Sequence, residues 1–138
     1  EHLGINAKTF PGIDEVISAI EGLGINWGIV TNKSKRFAKP LLRKLELLNR
    51  TACLVCGDTT NNLKPDPEPI NYALSFLKTK NTKKSFYIGD SKKDVDAAKS
   101  AGISSIACTY GYIYDSTNPK DWKADFYVDH ALEILDVI

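Results

Sequence analysis

Long apolar runs are missing from this sequence. No stretch approaches the ~20 apolar residues that a membrane-spanning helix needs, and no secretory leader is visible. A dominant charge is missing too. Eighteen Lys and Arg stand against 17 Asp and Glu, a net charge of +1. No strong field therefore points to nucleic acid or to an anionic membrane surface. Basic pairs such as Lys83-Lys84 and Lys92-Lys93 read as solvated surface. Cysteine is scarce, with Cys53, Cys56 and Cys108 only. An odd, low count argues against a disulfide scaffold and for a reducing, cytoplasmic setting. Cys53-Leu-Val-Cys56 has C-x-x-C spacing but no second pair to complete the four ligands of zinc, so buried strand cysteines are expected. With only His2 and His130, a histidine metal site is not expected. Repeats, low-complexity segments, linkers and a Walker sequence are also absent.

What is present is one domain's worth of chain, 138 residues with 43% hydrophobic and 25% charged, enough to bury a core. Helical and strand patterns alternate, which predicts an α/β fold with a parallel sheet. Ile13, Val16, Ile17 and Ile20 predict a helix over 13–23, entered at Pro11-Gly12 and ended by Gly22 and Gly24. A strand is expected at 26–30. A helix over 34–48 should carry Phe37, Leu41, Leu42, Leu45 and Leu48 on one side, with Pro40 bending it or delaying its start. Further strands are expected at 52–56, 85–89, 104–108 and 126–128. Further helices are expected at 69–78, 92–101 and 130–137, the last capped by Asp129. Irregular loops should occupy 57–68 and 109–119. Gly22-Leu-Gly24-Ile-Asn-Trp-Gly28 mimics a nucleotide loop, but it runs from helix into strand, the reverse of the order that motif requires.

In open α/β sheets, ligands bind beyond the carboxyl ends of the strands. Thr31 and Asn32 follow the first strand, Lys64 lies in the loop after the second, and Asp90, Ser91 and Asp94 follow the third. Two carboxylates four residues apart can face one point, where their repulsion would be relieved by Mg²⁺, a cation that takes one or two carboxylates with waters and phosphate oxygens. Taken alone, a helix cap at Asp90 and a first-turn charge at Asp94 account for the pattern equally well. Thr31 could hold a phosphate oxygen, or simply form a turn. Lys64 sits in Leu63-Lys64-Pro65-Asp66-Pro67, where two prolines stiffen the loop that aims it. A fixed ammonium stabilises charge on a transferring phosphoryl group.

The order Val30-Thr31-Asn32-Lys33, Lys64-Pro65-Asp66-Pro67 and Gly89-Asp90-Ser91-x-x-Asp94 resembles the haloacid dehalogenase superfamily, and within it the phosphoglycolate phosphatase branch. Phe10-Pro11-Gly12, Asp94-Val-Asp96-Ala-Ala-Lys-Ser-Ala-Gly102 and Thr109-Tyr110-Gly111-Tyr112 frame it consistently. The resemblance implies a three-layer, Rossmann-like core over 1–138, with residues 1–10 as the exit from a helical cap. It implies a Mg²⁺-dependent phosphomonoester hydrolase acting on a small phosphorylated metabolite through an aspartyl-phosphate. Thr31, Lys64 and Asp90 would be catalytic. Thr31, Asn32 and Lys64 would bind phosphate, and Asp90 and Asp94 would bind metal, with Ser91 assisting.

One element of the family pattern is absent: no Asp-x-Asp-Gly-Thr occurs in the sequence. The resemblance places that motif on a central strand between those ending at Thr31 and Asp90. The chain therefore resembles a phosphatase lacking its nucleophile strand and most of its cap, and is expected to be inactive alone. The gap is expected to be filled by another chain or a displaced segment, or closed by the flanking strands. A non-catalytic phosphate- or metal-binding module and a phosphomutase are the alternatives.

Overall fold

The computed structural model describes residues 11–77, 84–110 and 118–138. The expected cap exit at 1–10 and most of the 109–119 loop lie outside these. The elements run α1 (Ile13–Gly22), β1 (Ile29–Val30), α2 (Lys35–Lys44), β2 (Leu54–Val55), α3 (Glu68–Leu77), β3 (Phe86–Gly89), α4 (Lys92–Ala101), β4 (Ser104–Cys108), a 3₁₀ turn (Pro119–Trp122), β5 (Phe126–Val128), a second 3₁₀ turn (Ala131–Glu133) and α5 (Ile134–Val137). The helix–strand alternation read from the sequence is thus the observed one. Among the described residues no helix is long and apolar enough to cross a membrane.

Every strand pair is parallel. The pairs form two sheets, β1-β2 and β3-β4-β5. Period-2 alternation sends each sheet's side chains to two helical layers. On one face Val30 and Val55 join Ile70 and Ala73 of α3 and Ala97 and Ala98 of α4, with Tyr87 packed against them. On the other, Ile17 of α1 packs with Leu42, Leu47, Ile29 and Leu54, and Val16 of α1 with Ile106, Cys108, Val128 and Ile134. So α1 on one side, and α3 with α4 on the other, bridge both sheets. This is the expected three-layer core.

The sheets do not close on each other. β1 pairs only with β2, and β3 only with β4, so among the described residues no strand joins their inner edges. Closure of the two flanking strands, one of the expected outcomes, does not occur. What spans the edges is side chain: the Tyr87 hydroxyl donates to the Val30 carbonyl at 3.0 Å. On the α1 side Ile88 is left 42% exposed, unusual for an aliphatic residue in mid-strand.

Several local expectations need correction. α2 starts at Lys35 and continues through Pro40. Pro40 and Arg36 are both exposed, so water can satisfy the carbonyl that proline leaves unpaired. The helix stops at Lys44 rather than 48, because Glu46 takes a left-handed φ of 61° and turns the chain. Phe37 is 60% exposed beneath the Arg36 guanidinium, 4.7 Å from its ring centre, and does not enter the core. Ala38, Leu42 and Leu47 do. The helix expected over 130–137 is a 3₁₀ turn followed by α5, and the cap of that turn is His130, whose Nδ1 accepts from Leu132 N. Asp129 instead gives its own N–H to Glu133.

Candidate active site

Thr31 and Asn32 directly follow β1, Lys64 lies in the loop after β2, Asp90 directly follows β3 and Asp94 lies in the first turn of α4. β3 ends at Gly89. Ser91 caps α4 and accepts from the Asp94 N–H, while the Asp94 carboxylate reaches back, a reciprocal capping box. Asp94 Oδ2 accepts from Asp90 N at 3.0 Å and Ser91 N at 3.2 Å. The cap is therefore Ser91, not Asp90. This close turn needs a glycine at 89, since any Cβ there would overlap the Asp94 carboxylate.

Lys64 ties the two sheets' loops together. Its ammonium lies 2.7 Å from Asp94 Oδ1, with side chains only 1% and 2% exposed. It also donates to Tyr87 Oη at 2.7 Å and to the Val30 carbonyl at 3.3 Å. Asn32 holds the other end. Its Oδ1 accepts from Lys64 N at 3.1 Å and its Nδ2 donates to Lys64 O at 3.2 Å. Asn32 thus fixes the backbone from which the lysine reaches, and both ends of its amide are engaged there.

Thr31 is buried, and its Oγ1 accepts from Lys33 N at 3.1 Å. That is the turn role. The same hydroxyl keeps its own proton, which donates to nothing among the described residues. Asp90 is buried, 7% exposed, directly after Gly89 at the end of β3. Among the described residues no three His, Cys, Asp or Glu side chains converge. Asp90 and Asp94 are the carboxylates at this turn, a number that suits a cation taking one or two carboxylates from a protein.

Thus Lys64, Asp94 and Asn32 are brought into direct contact, Thr31 adjoins Val30 whose carbonyl the lysine meets, and Asp90 adjoins the Asp94 turn. Tyr87 is the participant that the motifs did not reveal. Its only signal was a hydroxyl inside the apolar run Phe86-Tyr87-Ile88. Cys108, at the end of β4, borders the site. Burial, together with the Asp90 and Asp94 charges and against a hydrogen bond from Tyr110, pushes its thiol up to about 11. Burial likewise raises Tyr110. All three thiols are free, Cys56 and Cys108 buried and Cys53 half-buried; Cys108 ends β4, while Cys53 and Cys56 flank β2, which is shorter than the strand expected at 52–56.

The chain is similar to known proteins along its whole length. Residues 1–108 match the family model of haloacid dehalogenase-like hydrolases. The whole chain is 41% identical over 138 residues to an N-acetylmuramic acid 6-phosphate phosphatase of Pseudomonas aeruginosa, covering 61% of that protein. It is 36% identical over 134 residues, 97% of this chain, to a phosphoglycolate phosphatase of Xanthomonas campestris pv. campestris, covering 60% of it. The chain thus spans about 60% of the length of these curated relatives. A crystal structure titled as a predicted phosphoglycolate phosphatase from Haemophilus somnus superposes with a TM-score of 0.86 at 28% identity, over 94% of this chain and 57% of that one.

Proposed function

The chain belongs to the haloacid dehalogenase-like hydrolases, and from that membership we propose that it forms the phosphate- and metal-holding part of a Mg²⁺-dependent phosphomonoester hydrolase of phosphoglycolate phosphatase type. The observation that carries this reading is the 2.7 Å contact of the Lys64 ammonium with Asp94 Oδ1, which brings the loop after β2 to the turn after β3. It acts on a small phosphorylated metabolite in a reducing, cytoplasmic setting.

Thr31 donates its hydroxyl proton to a phosphate oxygen, and Lys64 offsets the anion's charge. Asn32 serves the phosphate indirectly, by holding the Lys64 backbone. Asp90 is the direct carboxylate for Mg²⁺. Asp94, with three N–H donors already on its two oxygens, orients the Asp90 turn and anchors Lys64. Bound Mg²⁺ supplies charge neutralisation for phosphoryl oxygens. The sequence holds no Asp-x-Asp-Gly-Thr, so it lacks the attacking carboxylate and does not turn over alone. The open inner edges of β1 and β3 accept an extended segment, whether from another chain or a displaced segment of the same protein.

The test is thermal unfolding with and without Mg²⁺ and inorganic phosphate, beside turnover of p-nitrophenyl phosphate. A ligand-dependent rise in midpoint, absent in Asp90→Asn, with no turnover, is the expected result. Midpoints unmoved by either ligand would overturn the site. Turnover abolished by Asp90→Asn would overturn the inactivity.

A further inference from the structure

We propose that Tyr87 is a positioning residue that aims the Lys64 ammonium. This rests on the reading of Lys64 as the phosphate-binding cation. The argument begins with the lysine itself. A four-carbon side chain ending in a rotatable ammonium has many rotamers to lose and no preferred direction of its own. Asp94 alone fixes how far Nζ lies from one oxygen, but not which way its remaining protons point. Two more acceptors do that: Val30 O on β1 at 3.3 Å and Tyr87 Oη on β3 at 2.7 Å. The shorter of the two is the tyrosine's.

The tyrosine hydroxyl is itself oriented. Its proton goes to Val30 O at 3.0 Å, which leaves an oxygen lone pair for the lysine. Tyr87 therefore accepts from Lys64 while donating to the same carbonyl that Lys64 meets, closing a triangle across the open edges of β1 and β3. When an anion draws one ammonium proton away, the Val30 carbonyl keeps the tyrosine proton and is not orphaned. The ring adds a weaker contact, with Nζ 5.2 Å from its centre. Tyr87→Phe keeps the ring and removes only the oxygen.

The experiment measures inorganic phosphate and Mg²⁺ binding to the full chain by calorimetry, for the unmodified protein and Tyr87→Phe. It is paired with ¹H–¹⁵N spectra of the lysine ammonium groups. The expected result is phosphate affinity weakened about tenfold with Mg²⁺ affinity within about twofold, the scale of one hydrogen bond to a charged group. The Lys64 ammonium signal, protected in the unmodified chain, should broaden or vanish in the variant. Equal phosphate affinity in both proteins overturns the proposal. So does a parallel loss of phosphate and Mg²⁺ binding, which marks a merely structural role. If the unmodified chain binds no phosphate, the functional reading of the site fails, and the ammonium signal then decides alone: unchanged in Tyr87→Phe, it overturns the positioning role. Should the variant not fold, an absent nuclear Overhauser contact between the Tyr87 ring and the Lys64 ε-methylene in the unmodified chain overturns it instead.

Discussion

Removing the Lys64 charge should cost far more stability than removing Lys92's, although the two ion pairs have nearly the same length. Lys64 and Asp94 meet at 2.7 Å and Lys92 and Asp96 at 2.6 Å. Burial separates them. The first pair is 1% and 2% exposed, the second 49% and 37%. An exposed i,i+4 pair in water is worth only about 0.3–0.5 kcal/mol. Breaking a buried pair strands a charge in a medium that cannot solvate it, at about 3–5 kcal/mol. Lys64→Met also removes the ammonium from Tyr87 and Val30, though their mutual hydrogen bond survives. Urea denaturation at pH 7 should therefore show a midpoint drop worth about 3–5 kcal/mol for Lys64→Met, a large share of a typical 5–15 kcal/mol domain, and about 0.5 kcal/mol for Lys92→Met. Adding Asp94→Asn to Lys64→Met should recover part of the loss, because the amide keeps an oxygen for Asp90 N and Ser91 N without the orphaned charge. A Lys64→Met loss under about 1 kcal/mol, or no recovery in the double variant, would refute the claim that these two charges stabilise the fold through each other.

Gly89→Ala should lose at least about 2 kcal/mol and the Mg²⁺-dependent midpoint shift, since its methyl would overlap Asp94. Gly22→Ala, where nothing lies within 4 Å, should gain up to about 1 kcal/mol. Asn32→Ala should cost about 1–3 kcal/mol and weaken phosphate binding without weakening Mg²⁺ binding, as it frees the Lys64 backbone. Alkaline pH should destabilise the chain through Cys108. Its thiol is raised from 9.0 to about 11 by burial, so the neutral form is the one folding favours. That stability is complete below pH 9 and falls as pH rises towards 11, by about 1.4 kcal/mol per unit, and Cys108→Ala should flatten the alkaline limb in denaturation experiments.

The place of the turn from β3 into α4 was legible in the sequence because its partners lie within six residues, but its cap was not: Asp90 has the better-known preference, and Ser91 with Asp94 takes the role. β4 and β5 were legible to the residue for a similar reason, as short apolar runs with clear stops. Features set by distant contacts were not. Nothing local tells that Tyr87 reaches Val30, 57 residues away, or that both ends of the Asn32 amide grip a backbone 32 residues on. Phe37 fits the apolar periodicity of α2 yet faces solvent, because the helix buries Ala38 and presents Leu42 to α1 and the sheet. At Asp129 the N-cap preference of aspartate lost to a histidine one residue later, whose ring nitrogen reached the free N–H first. Periodicity says which residues could be buried; the neighbouring elements decide which are.

The separate sheets joined by shared helices have a thermodynamic corollary. Thr31 rides on the β1-β2 pair, Asp90 on the β3-β4-β5 trio, and the spacing between them is whatever α1, α3, α4 and the Lys64–Asp94 contact allow. On the proposed reading, a phosphate on Thr31 and a cation on Asp90 would each select one spacing, as would a strand laid between β1 and β3. By reciprocity, whatever factor such a strand adds to ligand affinity, the ligand must add to the affinity for the strand. Occupancy at the strand ends and occupancy of the central edge are then two readings of a single equilibrium.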